Sequence, residues 1–300
     1  MLLQQLVNGL TLGSVYALIA LGYTMVYGII ELINFAHGEI YMLGAYMGII
    51  TFGVLTTLHL TSADSGVTLL YMMIVAVLFC GAYGVTIERL AYRPLRTAPR
   101  LSPLISALGI SIFLQNFVML AQGPRDKGFP ELFIQGGLDM PGGRISTIQI
   151  FIISTSVLIM IALHLLVRRT KIGKAMRATA QDKQMAELVG INVNQVISIT
   201  FLIGSALAAV AGVMVGMYYG LINFSIGYMA GIKAFSAAVL GGIGSIPGAM
   251  LGGILLGLIE SLGAGYISSE YKDVFSFAIL VLVLIFRPTG LLGTDSSKRA

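Results

Sequence analysis

Apolar stretches, each long enough to cross a bilayer, follow one another along this chain with few charges between them. A membrane-spanning helix needs about 20 apolar residues. That length is met at 6–30, 40–60, 67–87, 103–122, 148–167 and 196–219. A glycine-rich stretch at 234–262 and a shorter apolar run at 274–286 complete the series. Of the 300 residues, 57% are hydrophobic and 10% are charged. A soluble domain carries about 25% charged residues, and a soluble fold of this composition would expose aggregating apolar patches. The expected fold is all-α, a polytopic helical membrane bundle with one transmembrane domain over residues 1–300.

The basic residues give an orientation. Arg89, Arg93, Arg96 and Arg100 follow the third stretch. Arg168, Arg169, Lys171, Lys174, Arg177 and Lys183 follow the fifth, and Arg287, Lys298 and Arg299 follow the last. Lys and Arg accumulate in cytoplasmic loops, so these three places are expected inside, with the N-terminus outside and the C-terminus cytoplasmic. The net charge of +5 comes from loops between spans. It is not the basic face of a nucleic-acid binder. Cys80 lies within an apolar stretch, with no partner for an intrachain disulfide and no metal-ligand spacing around it. It reads as a small packing residue. No basic leader region precedes the first stretch, which runs past signal length, so no cleavable signal is expected. Tryptophan is absent, leaving Tyr and Phe to supply any interfacial belt.

Parity constrains the glycine-rich stretch. Were 234–262 one ordinary crossing, the C-terminus would fall outside, against the charges. The stretch contains Gly241-Gly242-Ile243-Gly244-Ser245-Ile246-Pro247-Gly248, which disfavours a straight helix. Two short helices meeting at a break are expected, either re-entrant or as a pair of crossings, for about eight or nine membrane segments of the required length. Non-helical backbone at membrane depth survives only under protein or beside a water-filled cavity, and broken helices often border a translocation path. A glycine-rich packing bend is the alternative. Glycines four apart recur at Gly9/Gly13, Gly44/Gly48, Gly212/Gly216/Gly220 and Gly253/Gly257. They let helices approach closely, within the chain or at a dimer face.

A short internal repeat is visible. Leu32-Ile33-Asn34-Phe35-Ala36-His37-Gly38 resembles Leu221-Ile222-Asn223-Phe224-Ser225-Ile226-Gly227, and each follows a span holding a Gly-Ser pair, Gly13-Ser14 or Gly204-Ser205. The two spans run in opposite directions, the arrangement of an inverted-topology repeat. No Lys or Arg occurs from Leu6 to Leu60, yet Glu31, Asn34, His37 and Glu39 stand in the middle of that stretch. Ionisable groups near hydrocarbon suggest a pathway or a buried pair; a wet inside turn is the other reading. Gln115 and Asn116 fall mid-span, where buried amides can bind helices together. His164 is expected at the interface, and Glu260 is left open between a cavity and the outer interface. The candidate translocation-path residues are Asn34, His37, Glu39, Gln115, Asn223, Gly242, Gly244 and Ser245. No metal spacing, nucleophile elbow, acid–base pair or Walker A motif stands out. Neither catalysis nor a cofactor is expected of this chain.

The basic loop at 168–195 reads as a helix over 173–193 with Gly190 as its stop. Its small residues suit a partner's groove. Here the chain resembles the membrane permeases of ABC importers for branched-chain amino acids. The likeness is carried by NGLTLGSVYALIALGYTMVY (8–27), INFAHGEIYMLGAY (33–46), IERLAYRPLR (87–96), LISALGISIFLQ (104–115), IKAFSAAVLGGIGSIPGAMLGG (232–253) and RPTG (287–290). Ala186-Glu187-Leu188-Val189-Gly190 is similar to the coupling loop of such importers, although its leading residues depart from the Glu-Ala-Ala consensus. The resemblance implies a type II importer fold in a bacterial inner membrane. It implies a second, related permease as partner, forming a heterodimer, with two cytoplasmic ATPase subunits and a periplasmic binding protein that delivers leucine, isoleucine or valine. The coupling residues it implies are Lys174, Arg177, Asp182, Ala186, Glu187 and Gly190. Urea or amide permeases share the same motifs. A self-sufficient secondary transporter is the competing class, and a membrane enzyme or scaffold the remote one.

Overall fold

The computed structural model describes residues 1–61, 65–96, 98, 99, 101–132, 136–141 and 143–293. Arg100, Lys298 and Arg299, used above for orientation, lie outside the described residues. The chain runs through α1 (Leu2–Ile30), α2 (His37–Thr57) and α3 (Ser65–Ile87), then a π-helical turn (Glu88–Tyr92) and α4 (Leu101–Gln122). Short strands β1 (Lys127–Gly128), β2 (Gly137–Met140) and β3 (Gly143–Ser146) precede α5 (Thr147–Arg169), α6 (Lys171–Gln181) and α7 (Lys183–Leu188). The rest is α8 (Val193–Tyr219), β4 (Leu221–Ile222), α9 (Ile226–Gly241), α10 (Ile246–Tyr266) and α11 (Lys272–Phe286). Among the described residues, 7 helices are long and apolar enough to cross a membrane. Helices α9 and α11, at 16 and 15 residues, are shorter.

The chain forms two compact units. The first comprises Met1–Glu31, Gly137–Ile197 and the described part of Ile232–Ala300; the second comprises Leu32–Gly136 and Ser198–Gly231.

In the first unit the sequence glycines form a helix seam. Gly9 and Gly13 of α1 face Gly253 and Gly257 of α10, and a Cβ on Gly13 would stand 2.8 Å from Ile254 Cα. Absence of side chains is what permits this backbone approach. Helix α5 starts at a capping box. Ser146 Oγ accepts from the Gln149 N–H at 3.2 Å, and Gln149 Oε1 accepts from the Ser146 N–H at 2.9 Å. The expected break separates α9 from α10. Gly242 and Gly244 adopt φ of +105° and +90°, conformations open to glycine. Ser245 then caps α10, its Oγ accepting from the Gly248 N–H at 3.2 Å. The Arg287–Gly293 segment serves the other side of the break. Backbone N–H groups of Leu291 and Leu292 donate to Leu240 O and Gly241 O, each at 2.9 Å, which satisfies carbonyls that the end of α9 leaves open.

The same unit holds a buried charge cluster. Lys233 Nζ lies 2.7 Å from Glu260 Oε1 and 2.6 Å from Asp273 Oδ1. Tyr16 donates its hydroxyl to Glu260 Oε2 at 3.0 Å. Glu260, left open by the sequence, is therefore an interior partner that ties α1, α9, α10 and α11.

In the second unit α2 and α8 make the matching close approach. A Cβ on Gly44 would stand 2.5 Å from Ala209 Cα, and Gly212 faces Tyr41 O. Gly48 and Gly216 clear space for the ring of Phe129. Antiparallel pairing of β1 with β4 (Lys127 opposite Ile222) and a 2.8 Å bond from the Phe129 N–H to Gly220 O set that ring in place. Thus the four-residue glycine spacing serves packing within the chain, except at Gly220, where a Cβ would meet nothing within 4 Å and φ is +69°.

Three local expectations change. The stretch 173–193 is two helices, because Asp182 adopts an extended backbone (φ −156°, ψ 116°) and caps α7 by accepting from the Met185 N–H at 3.0 Å. Asn116 is exposed and donates to its own helix at Ile112 O, 2.8 Å away, rather than to another helix among the described residues. Arg96 is no free loop charge, since its guanidinium pairs with the fully buried Glu88. Burial lowers the Arg96 pKa, and the Glu88 carboxylate opposes that shift.

Candidate coupling and translocation sites

The basic loop is built as a helical pair. Thr170 opens α6 by accepting from the Gly173 N–H at 3.0 Å. Gly173 sits so close to the carbonyls of Leu166 and Val167 that a side chain there would strike them. Arg177 donates to Val167 O, placing a cation at the C-terminus of α5, where the helix dipole favours it. Helix α6 packs against α5 and α1. Helix α7 ends in a Schellman motif: Gly190 has φ +85°, its N–H donates to Glu187 O at 3.0 Å, and the Ile191 N–H donates to Ala186 O at 2.9 Å.

The six coupling candidates are not equivalent. Lys174, Arg177, Asp182, Glu187 and Gly190 are exposed, whereas Ala186 is 3% exposed and seats α7 on the chain. The outward face of α7 carries residues that had not been singled out as coupling residues. Met185, Leu188 and Val189 are 61%, 79% and 76% exposed. These three apolar side chains form an exposed edge between the Asp182 cap and the Gly190 stop. Their signal in the sequence was their place beside Glu187 and just before the Gly190 stop.

Asn34, His37, Glu39, Gln115 and Asn223 belong to the second unit; Gly242, Gly244 and Ser245 belong to the first. Asn34, His37 and Glu39 are buried, while Glu31 is exposed and closes α1 in a left-handed conformation with φ 60°. The stretch 31–39 is thus exposed at its first residue and buried at Asn34, His37 and Glu39. Asn34 Oδ1 accepts from the Tyr92 hydroxyl at 2.9 Å, and Glu39 Oε1 accepts from Ser111 Oγ at 3.0 Å. Asn34 Nδ2 and Glu39 Oε2 are buried without a hydrogen-bond partner among the described residues.

The two copies of the short repeat share one backbone hydrogen bond. The His37 N–H donates to Asn34 O at 3.0 Å, and at the matching positions the Ile226 N–H donates to Asn223 O at 3.4 Å. Asn223 Oδ1 accepts from the Ser225 N–H and hydroxyl at 3.0 and 2.9 Å. Gln115 is half-buried. Gly242 is buried, Ser245 half-buried and Gly244 exposed.

A polytopic helical protein with 7 helices of membrane-crossing length, a broken glycine-rich stretch, a short polar repeat and a capped helical pair in a basic loop has the parts of a transport permease. Residues 5–284 match the family described as branched-chain amino acid transport system / permease component, and the chain belongs to that family. It is 56% identical to the high-affinity branched-chain amino acid transport system permease protein BraD of Pseudomonas aeruginosa, over 99% of this chain and 97% of that protein. It is 54% identical, with the same coverage, to the permease protein LivH of Escherichia coli and to that of Salmonella typhimurium, both named for the same transport system.

Proposed function

We propose that this chain is the membrane permease subunit of an ATP-driven importer that carries branched-chain amino acids across the bacterial inner membrane. The observation that carries the reading is the apolar edge Met185–Leu188–Val189 on a basic helical pair, in a chain whose relatives are named permeases of that transport system. Partner ATPase subunits dock on α6 and α7, and ATP hydrolysis belongs to them. A second permease completes the path, and a periplasmic binding protein delivers leucine, isoleucine or valine.

Transport follows alternating access. ATPase closure displaces α7, and packed helices shift as bodies about the breaks in the chain. Buried Asn34 Nδ2 and Glu39 Oε2 support a wet or ligand-facing role, since buried polar groups otherwise find partners. Basic residues around α6 support a cytoplasmic position for the pair.

The test uses the chain's single cysteine background. Cys80 is fully buried, so a Leu188→Cys variant presents one accessible thiol. In intact cells it is expected to resist a membrane-impermeant maleimide, to react once the inner face is opened, and to crosslink to an ATPase subunit. Ready labelling from outside would contradict the reading.

A further inference from the structure

The segment IERLAYRPLR is absorbed by neither the coupling pair nor the path, yet it contains the π-helical turn Glu88–Tyr92. Such turns inside α-helices are uncommon and concentrate at functional positions. Glu88 is fully buried. One of its oxygens takes the Arg96 guanidinium, and the other accepts from Ser198 Oγ at 2.7 Å. One turn on, the ring of Tyr92 lies 5.4 Å from that of Phe201. Ser198 and Phe201 are three apart on α8 and so share a face. Their helix is the one the chain enters directly after the coupling pair.

Tyr92 also reaches the other way, donating its hydroxyl to Asn34 Oδ1. That bond fixes the amide plane of Asn34 and so decides where Nδ2, which has no hydrogen-bond partner among the described residues, points. We infer that Tyr92 is a positioning residue: anchored to α8 through Phe201 and the Glu88–Arg96–Ser198 group, it orients Asn34 and passes a displacement at the start of α8 to the junction before α2. The inference rests on the proposed transport function and adds to it the link between drive and path. Two neutral hydrogen-bonding groups carry the last step, so their removal is graded and leaves no buried charge unpaired.

The experiment compares Tyr92→Phe, Asn34→Ala and the double variant in the full assembly in proteoliposomes, measuring amino-acid uptake per ATP hydrolysed. Tyr92→Phe is expected to lower that ratio about fivefold, the factor carried by one neutral hydrogen bond, and adding it to Asn34→Ala is expected to change nothing further. An unchanged ratio, or effects that multiply, would overturn the inference. If Tyr92→Phe fails to assemble while Ser198→Ala assembles and transports at the full ratio, the contact only holds the fold and the inference also fails. If the unsubstituted assembly shows no ATP-driven uptake, the proposed function falls by itself. The positioning is then read on the purified chain by hydrogen exchange at the His37 amide, which is bonded to Asn34 O. Faster exchange in both Tyr92→Phe and Ser198→Ala is expected, and unchanged exchange in both overturns it.

Discussion

Gly38 and Gly227, matching positions of the two repeats, meet backbone to backbone: a Cβ on Gly227 would stand 2.7 Å from Gly38 O, and one on Gly38 would press closer still on Gly227 O. The reciprocity is what a local two-fold relation between the repeats requires. A Cβ on Gly38 would meet backbone alone, whereas one on Gly227 would also meet the Glu39 carboxylate, and the backbone atoms in both contacts cannot swing away. Gly38→Ala and Gly227→Ala are each expected to destabilise the detergent-solubilised protein by about 1–3 kcal/mol, the usual cost of overpacking. Thermal unfolding of the purified variants checks this.

Glycine does different work elsewhere. Gly257 faces Gly9 and Gly13 across the α1–α10 seam, whereas a Cβ on Gly109 of α4 would meet nothing within 4 Å. Gly257→Ala is expected to lower stability. Gly109→Ala is expected to leave it unchanged or raise it by up to about 1 kcal/mol, through helix propensity alone. The opposite signs, read in one thermal-shift series, separate packing glycines from incidental ones.

The Lys233–Glu260 pair makes a third prediction. Lys233 is 5% and Glu260 3% exposed. Removing one partner of a buried pair strands the other charge at a cost of about 3–5 kcal/mol. Lys233→Met is expected to reduce folded yield sharply, and Lys233→Met with Glu260→Gln and Asp273→Asn to recover most of it, since both carboxylates pair with Lys233. Quantified membrane-extracted protein is the readout.

These residues mark what was legible in the sequence. Spans were readable because uncharged runs of bilayer length leave few alternatives, and the break was readable because Gly242 and Gly244 disfavour helix. Glu260 was not assignable, because its partners Lys233, Asp273 and Tyr16 are brought to it only by packing. Arg96 looked like an ordinary loop charge for the same reason: Glu88, eight positions away, enters no count of basic residues. The division of 173–193 turned on one residue, Asp182, whose side chain serves equally well on a helix surface or as a cap. The β2–β3 hairpin went unseen between two long apolar stretches that dominate the pattern.

Within the α6–α7 pair, neighbouring side chains should act in different ways. Ala186→Leu fills a buried seat and is expected to destabilise α7, seen as faster proteolysis in the loop. Leu188→Ala removes an exposed side chain and is expected to keep stability within about 0.5 kcal/mol while weakening ATPase association several-fold in pull-down titration. Glu187→Lys is expected to behave like Leu188→Ala, keeping the fold and lowering coupled uptake.

The most direct measurement of the central claim is radiolabelled leucine uptake into proteoliposomes. It compares this chain alone with the chain together with its partner permease, ATPase subunits and binding protein. Uptake is expected only in the complete set, to require internal ATP, and to fall when Leu188 carries a charge. Uptake by the chain alone, driven by an ion gradient and indifferent to ATP, would contradict the account.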